Sequence, residues 1–246
     1  MITIDRKGGT ITIDGTTLPL ESAEAFRILS DAWIDVAMRV KHPYTFTWLG
    51  RPVIQFADDL LRLQEIVYRV QPDVIVETGI AHGGSLIFHA SLCKLLGRGR
   101  VIGIDVEIRP HNRAAIEAHP LAPLIMLLEG SSIDLGIVGE VRSSIAPGET
   151  VLIMLDSNHT KAHVRAELEA YAPLVTPDSY IVAMDGRVME AVAAGDWATN
   201  NPNAAVREFA NEHPEFTIET SSFLFSESVL TEAMTGFHGG VLKRIR

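Results

Sequence analysis

The sequence predicts an α/β fold, a mostly parallel seven-stranded sheet with helices on both faces, preceded by an N-terminal hairpin and helix. Three observations carry this expectation. From residue 74 onward, short apolar runs alternate with stretches of helical pattern. Such alternation builds parallel strands joined by crossover helices. The first run, Val74-Ile-Val-Glu-Thr78, breaks into a turn holding Gly79, Gly83 and Gly84, and a helix opens at Ser85. Strand, glycine turn and helix in that order form a nucleotide pocket, because glycines let backbone approach the ligand and the helix start presents free N–H groups.

Residues 2–4 and 10–13 alternate around Lys7-Gly8-Gly9, a hairpin signature. An amphipathic helix follows over 21–41, with Phe26, Leu29, Trp33 and Val36 on one face. His42–Pro52 reads as a loop and Asp58–Val70 as a second helix, which Pro72 stops before the first core strand. The core strands are the runs 74–76, 101–104, 124–128, 151–155 and 180–183, with helices near 85–96, 111–118, 134–145 and 161–172. After an Asn-rich stretch, 204–212 reads as helix and Phe216–Thr220 and Gly240–Ile245 as the last two strands. The expected organisation is an N-terminal hairpin, helix and substrate or oligomer loop over 1–56 and a ligand-binding region over 57–246, within one structural domain.

With 246 residues and 47% hydrophobic content, the chain can bury a full α/β core. A net charge of −10 argues against a nucleic-acid groove, which needs a basic face. Cys93, the one cysteine, sits in an apolar helical pattern and reads as a packed residue. No signal sequence or membrane-length apolar run is present, so a cytoplasmic protein without a membrane partner is expected.

Ligands in such sheets bind beyond the carboxyl ends of the strands. The first strand ends at Glu77 and the glycine turn, which includes His82. Three residues separate Gly79 from Gly83, so the turn matches neither the dinucleotide fingerprint nor a P-loop. The looser spacing suits a nucleoside without a pyrophosphate, with S-adenosylmethionine the leading candidate. The second strand ends in Asp105, an acid placed to accept both ribose hydroxyls or to cap its own turn. Ser131 and Ser132 end the third; they could meet a base edge or cap the next helix. Asp156 and Asp185 end the fourth and fifth, and two carboxylates at neighbouring strand ends call for a cation between them. Oxygen ligands favour Mg²⁺. The rival reading is that one of them caps a helix or pairs with Arg187. His159 reads as a base or hydrogen-bond donor at the site mouth. His163, one turn further on, reads as solvent-facing, and a zinc pair with His159 lacks a third soft ligand.

At these residues the chain resembles the cephalosporin hydroxylase/rhamnosyl O-methyltransferase family. The likeness runs from about residue 44 to the C-terminus through Tyr44–Gln55, Glu77–Ser85, Gly103–Asp105, Glu129–Ser132, Leu155–Thr160 and Gly240–Arg244. It implies a Rossmann-like class I methyltransferase fold, S-adenosylmethionine as donor, often Mg²⁺, a hydroxyl acceptor on a deoxysugar or natural-product scaffold, and a homo-oligomer. One departure is visible: many members carry Glu-Asp where this chain has Met184-Asp185, leaving waters or Asn158 to complete a metal shell.

The donor is then expected across Glu77, Gly79, His82, Ser85, Asp105, Ser131 and Ser132. Asp156 and Asp185 hold the metal, and Asp156 or His159 takes the acceptor proton. Residues 221–239, with Phe223, Phe225, Met234 and Phe237, could cover the acceptor together with Tyr44 and Trp48, although each aromatic could equally be core. Two rivals stand beside this reading: a non-catalytic partner that binds the nucleoside, and an NAD-dependent oxidoreductase, which shares the fold but not the glycine spacing.

Overall fold

Three short strands, β1 (Ile2–Asp5), β2 (Thr10–Ile13) and β3 (Thr16–Pro19), form a separate antiparallel sheet at the N-terminus of the computed structural model. The structure describes residues 1–191, 195–219, 223–231 and 233–246. The first hairpin matches the sequence prediction, whereas β3 was not expected. Its turn is Asp14-Gly15, both at positive φ (47° and 90°), the pair that closes a tight hairpin.

Helix α1 (Ala23–Arg39) starts at Ser22, whose side chain accepts the Ala25 N–H. Its predicted apolar face is real but does not meet the core. Phe26, Trp33 and Val36 are 44%, 48% and 58% exposed, while Ala25, Ile34 and Ala37 are buried. Where a loop was expected, β4 (Phe46–Trp48) and β5 (Arg51–Val53) make a second hairpin around Leu49 and Gly50. Helix α2 (Ala57–Val70) ends at Gln71 in the left-handed conformation, before the first core strand.

The core then alternates as predicted: β6 (Val74–Thr78), α3 (Gly84–Leu96), β7 (Arg100–Asp105), α4 (Pro110–Glu117), β8 (Ile125–Glu129), α5 (Leu135–Ser143), β9 (Val151–Leu155), α6 (Lys161–Tyr171) and β10 (Tyr180–Ala183). A short helix α7 (Gly186–Ala191), not foreseen, precedes α8 (Pro202–Glu212), β11 (Phe216–Ile218) and β12 (Val241–Arg244). The prediction of strand at Thr220 falls outside the described residues. Seven strands pair in the order β11-β12-β10-β9-β6-β7-β8, and β12 runs against its neighbours.

Each core strand divides its side chains between the two faces. Val74 and Val76 pack with α5, α6 and α8; Ile75 packs with α2, α3 and α4. Because both faces are covered, β6 and β9 are buried throughout; β9 is apolar over its whole length and β6 over Val74–Val76, as parallel strands require. Strand order reverses between β6 and β9, the switch point where doubly wound sheets open a crevice.

At that point the two strand ends come into contact. A Cβ on Gly79 would lie 2.2 Å from the Asp156 carbonyl oxygen, and Gly79 sits at φ 81°. Gly97 has a similar φ of 71° but open space around it. Gly97→Ala should therefore lower unfolding stability by about 1–2 kcal/mol, the left-handed penalty alone. Gly79→Ala should cost about 3 kcal/mol or more, since backbone overlap is added. Urea melts of the two variants compare them directly, and equal losses would contradict the close approach.

Candidate active site

A cavity of about 480 Å³ lies over the carboxyl ends of β6 to β10. Gly79, Asp105, Ser131, Ser132, Asp156, His159 and Asp185 line it, so seven of the predicted site residues converge. Tyr44 and Ile54 close one side from the N-terminal segment.

On the glycine-turn side, Asp105 Oδ2 accepts the N–H groups of Ile80 (3.0 Å) and Ala81 (3.2 Å), and Oδ1 accepts that of Glu107 (3.3 Å). The carboxylate thus caps its own turn and ties down the glycine turn while still facing the cavity. Ala81 holds φ 44° in this arrangement. Ser132 does not cap α5; Asp134 does, accepting from Gly136 and Ile137. That leaves the Ser132 hydroxyl 3.2 Å from His163 Nε2.

Three predicted contacts are not on this wall. Glu77 is 1% exposed beneath the turn, where the Ser85 hydroxyl donates to it and His89 Nε2 lies 3.8 Å away. His82 is turned aside, its carbonyl accepting from the Arg51 guanidinium. The reason is the unforeseen β4–β5 hairpin. A Cβ on Gly84 would lie 2.1 Å from the Pro52 carbonyl oxygen, so β5 sits directly on the start of α3 and covers that side of the turn.

On the opposite side, Asp156, His159 and Asp185 each offer one ligand atom, all within 4.8 Å of one another. His159 Nε2 stands 3.6 Å from Asp185 Oδ2. Gln55 Nε2 donates to Asp156 Oδ2 at 3.0 Å, holding that carboxylate from the N-terminal side. Asp185 adopts φ 61°, a sparsely populated conformation for a residue with a Cβ and one that recurs at functional sites. Arg187, the alternative partner, reaches instead to Asp31 on α1.

Burial first, then the neighbouring carboxyls of Asp185, Glu77, Asp59 and Glu167, raise the Asp156 pKa well above the carboxylate range. Burial raises Asp185 too, with His159 opposing. Carboxyls crowded in this way favour protons or a cation. Two carboxylates and an imidazole with open positions between them fit an oxygen-preferring divalent ion such as Mg²⁺. Asn158 is not free to complete that shell through its oxygen, which accepts from Thr160 N (3.0 Å) and Oγ1 (2.7 Å). Met184 is 2% exposed and packs in the core, so position 184 supplies no ligand.

His163 was misjudged as solvent-facing. It lines the cavity between Ser132 and Glu167 Oε1, which is 3.6 Å away and raises its pKa. Glu167, one turn along α6, is fully buried and accepts from Ser157 Oγ at 2.7 Å. The i, i+4 spacing of His163 and Glu167 was the available signal. Held this way, His163 does not join His159 as a zinc pair.

Of the expected cover, Tyr44 lines this cavity, whereas Trp48, Phe223, Phe225, Met234 and Phe237 do not. Trp48 donates to Ser91 Oγ (3.1 Å) and packs on Phe88. Phe237 is core, Phe225 is 76% exposed, and Arg62 lies over the Phe223 ring. Of the 221–239 stretch, residues 221, 222 and 232 lie outside the described ones. Cys93 is buried as expected, its thiol pushed up to about 11. Among the described residues, no helix is long and apolar enough to cross a membrane.

A glycine turn at the switch point, an acid at the end of the next strand and a carboxylate cluster opposite define a Rossmann-like methyltransferase fold. The chain belongs to the Rhamnosyl O-methyltransferase/CmcI family, whose model matches residues 40–245, and is thereby a methyltransferase enzyme. A rhamnosyl O-methyltransferase of Mycobacterium leprae is 27% identical over 197 residues, 73% of this chain and 82% of that protein. Against those of Mycobacterium bovis and Mycobacterium tuberculosis, the alignment spans 57% of their length. A CmcI structure with Mg and SAM superposes with a TM-score of 0.55 at 18% identity, over 82% of this chain and 78% of that one. MycE methyltransferase from the mycinamycin biosynthetic pathway, with Mg and SAH, gives a TM-score of 0.53 at 17% identity, over 86% of this chain and 55% of that one. At these identities the structural likeness establishes the fold.

The buried Glu77 has a measurable consequence. Burial raises its carboxyl from 4.5 to about 8, against the opposing Ser85 hydrogen bond. Its contribution to stability is complete below the unfolded value and is lost as pH rises toward 8. His89, lowered to about 4 by burial, stays neutral across that window and does not mask the effect. Glu77→Gln should therefore gain melting temperature relative to the parent between about pH 5 and about pH 8.5. Calorimetry at both values checks this; a constant offset would contradict a neutral buried Glu77.

Proposed function

We propose that the chain is an S-adenosylmethionine-dependent, Mg²⁺-assisted O-methyltransferase acting on a hydroxyl of a deoxysugar or natural-product scaffold. The observation that carries this reading is the convergence of Asp156, His159 and Asp185 across one cavity from Asp105 and the glycine turn. Both relatives described above were solved with Mg and with SAM or SAH. MycE has also been solved with mycinamycin VI, which supports an acceptor of that kind.

In this reading Asp105 takes the ribose hydroxyls, the backbone of 79–81 lies along the donor, and Ser131 and Ser132 meet the base. Asp156 and Asp185 hold the metal. When bound, Mg²⁺ would make a coordinated hydroxyl more acidic. His159, beside Asp185, would accept the acceptor hydroxyl's proton at Nε2, with Asp185 placed to stabilise the imidazolium. Positioning of the two reactants supplies most of the acceleration, on the order of 7–11 kcal/mol. Homo-oligomer formation belongs to the same proposal.

Asp156→Asn and Asp185→Asn should each lower methyl transfer to a panel of deoxysugar glycosides by about 100-fold or more while S-adenosylhomocysteine affinity changes little. EDTA should reproduce the loss. Near-native rates in both variants with EDTA present would sink the metal-assisted mechanism. Asp105→Asn should do the reverse, weakening S-adenosylhomocysteine by about tenfold or more by calorimetry. NAD should bind neither form; a preference for NAD would move the chain to the oxidoreductase reading.

A further inference from the structure

A second cleft, of about 600 Å³, opens between α1, the start of α2 and the turn at Met234–Gly236. It shares no lining residue with the reaction cavity. Its walls are apolar, built from Phe26, Leu29, Trp33, Ile34, Phe56 and Met234. The Trp33 ring leans on Phe56 with centroids 5.2 Å apart, and Phe26 and Trp33 stand half-exposed at the mouth. The volume lies within the range of small-molecule sites, which pair apolar walls with a few placed polar groups.

Ser30, Asp58 and Asp59 are the polar residues of the lining, and of these Asp59 is 1% exposed. Its Oδ1 accepts the Gly236 N–H at 2.8 Å. Its Oδ2 has no hydrogen-bond partner among the described residues. A Cβ at position 236 would lie 2.7 Å from that oxygen, so a side chain there would press on Asp59 Oδ2. A buried polar atom left unpaired is costly, and such atoms are rare in folded proteins.

We propose that this cleft is a ligand site, separate from the reaction cavity, for an apolar molecule carrying a hydroxyl that pairs with Asp59 Oδ2. A hydroxyl both donates and accepts, so it suits the carboxyl in either protonation state. The apolar face of α1, which meets no core, is one wall of the site.

The test is titration of the full chain with 2-naphthol and with naphthalene, followed by quenching of Trp33 fluorescence. 2-Naphthol should bind saturably and about tenfold more tightly, the worth of one buried hydrogen bond. Asp59→Leu should bring the two probes to equal affinity. Leu29→Trp, at a partly exposed position of α1, should block both probes with the fold retained by circular dichroism. Equal binding of the two probes to the parent chain, or unchanged binding in Leu29→Trp, overturns the proposal. So does conversion of an oligomer to a monomer by Leu29→Trp, which would make the cleft an interface between copies. Formation of 2-methoxynaphthalene in the presence of S-adenosylmethionine overturns the separateness of the site.

Discussion

The close approach of two strand ends governs the geometry of the whole site. Gly79 lies against the Asp156 backbone at the point where strand order reverses, at a distance no side chain could share. That contact joins the two halves of the cavity. The glycine turn, braced by Asp105, forms one side, and the Asp156–His159–Asp185 cluster forms the other. A methyl donor and an acceptor brought to these sides would meet because the backbone has already placed the sides together.

Electrostatics then decides what the second half can hold. Asp156 feels four other carboxyls, and burial opposes its ionisation. Glu77 answers the same problem by staying protonated beneath the turn. Asp156 and Asp185 face the cavity, where a cation can reach them. Gln55 and His159 orient them without neutralising either fully. The N-terminal segment matters here, since Gln55 comes from it and β5 seals the start of α3.

The parallel core was legible because strands buried on both faces must be apolar over their whole length, and Val74–Val76 and Val151–Leu155 are. So were the acids at the strand ends, whose positions follow from topology. The β4–β5 hairpin was not, because its strands are three residues long and one contains Pro52. The Asp14-Gly15 turn carried a readable hairpin signal that was overlooked. His163 was misjudged for another reason: its i, i+4 spacing to Glu167 pairs the two residues but does not tell which face of α6 looks back over the sheet. The Phe26–Trp33–Val36 face was legible as apolar, but periodicity reports a stripe and not what covers it.

The central claim is that Asp156 and Asp185 hold a divalent cation beside His159. Titration with Mn²⁺ followed by electron paramagnetic resonance tests it most directly, because Mn²⁺ shares the oxygen preference of Mg²⁺. The account predicts one bound ion per chain, competed by Mg²⁺ and lost in Asp156→Asn. Absence of binding at millimolar Mn²⁺, or binding that survives removal of both Asp156 and Asp185, would contradict it.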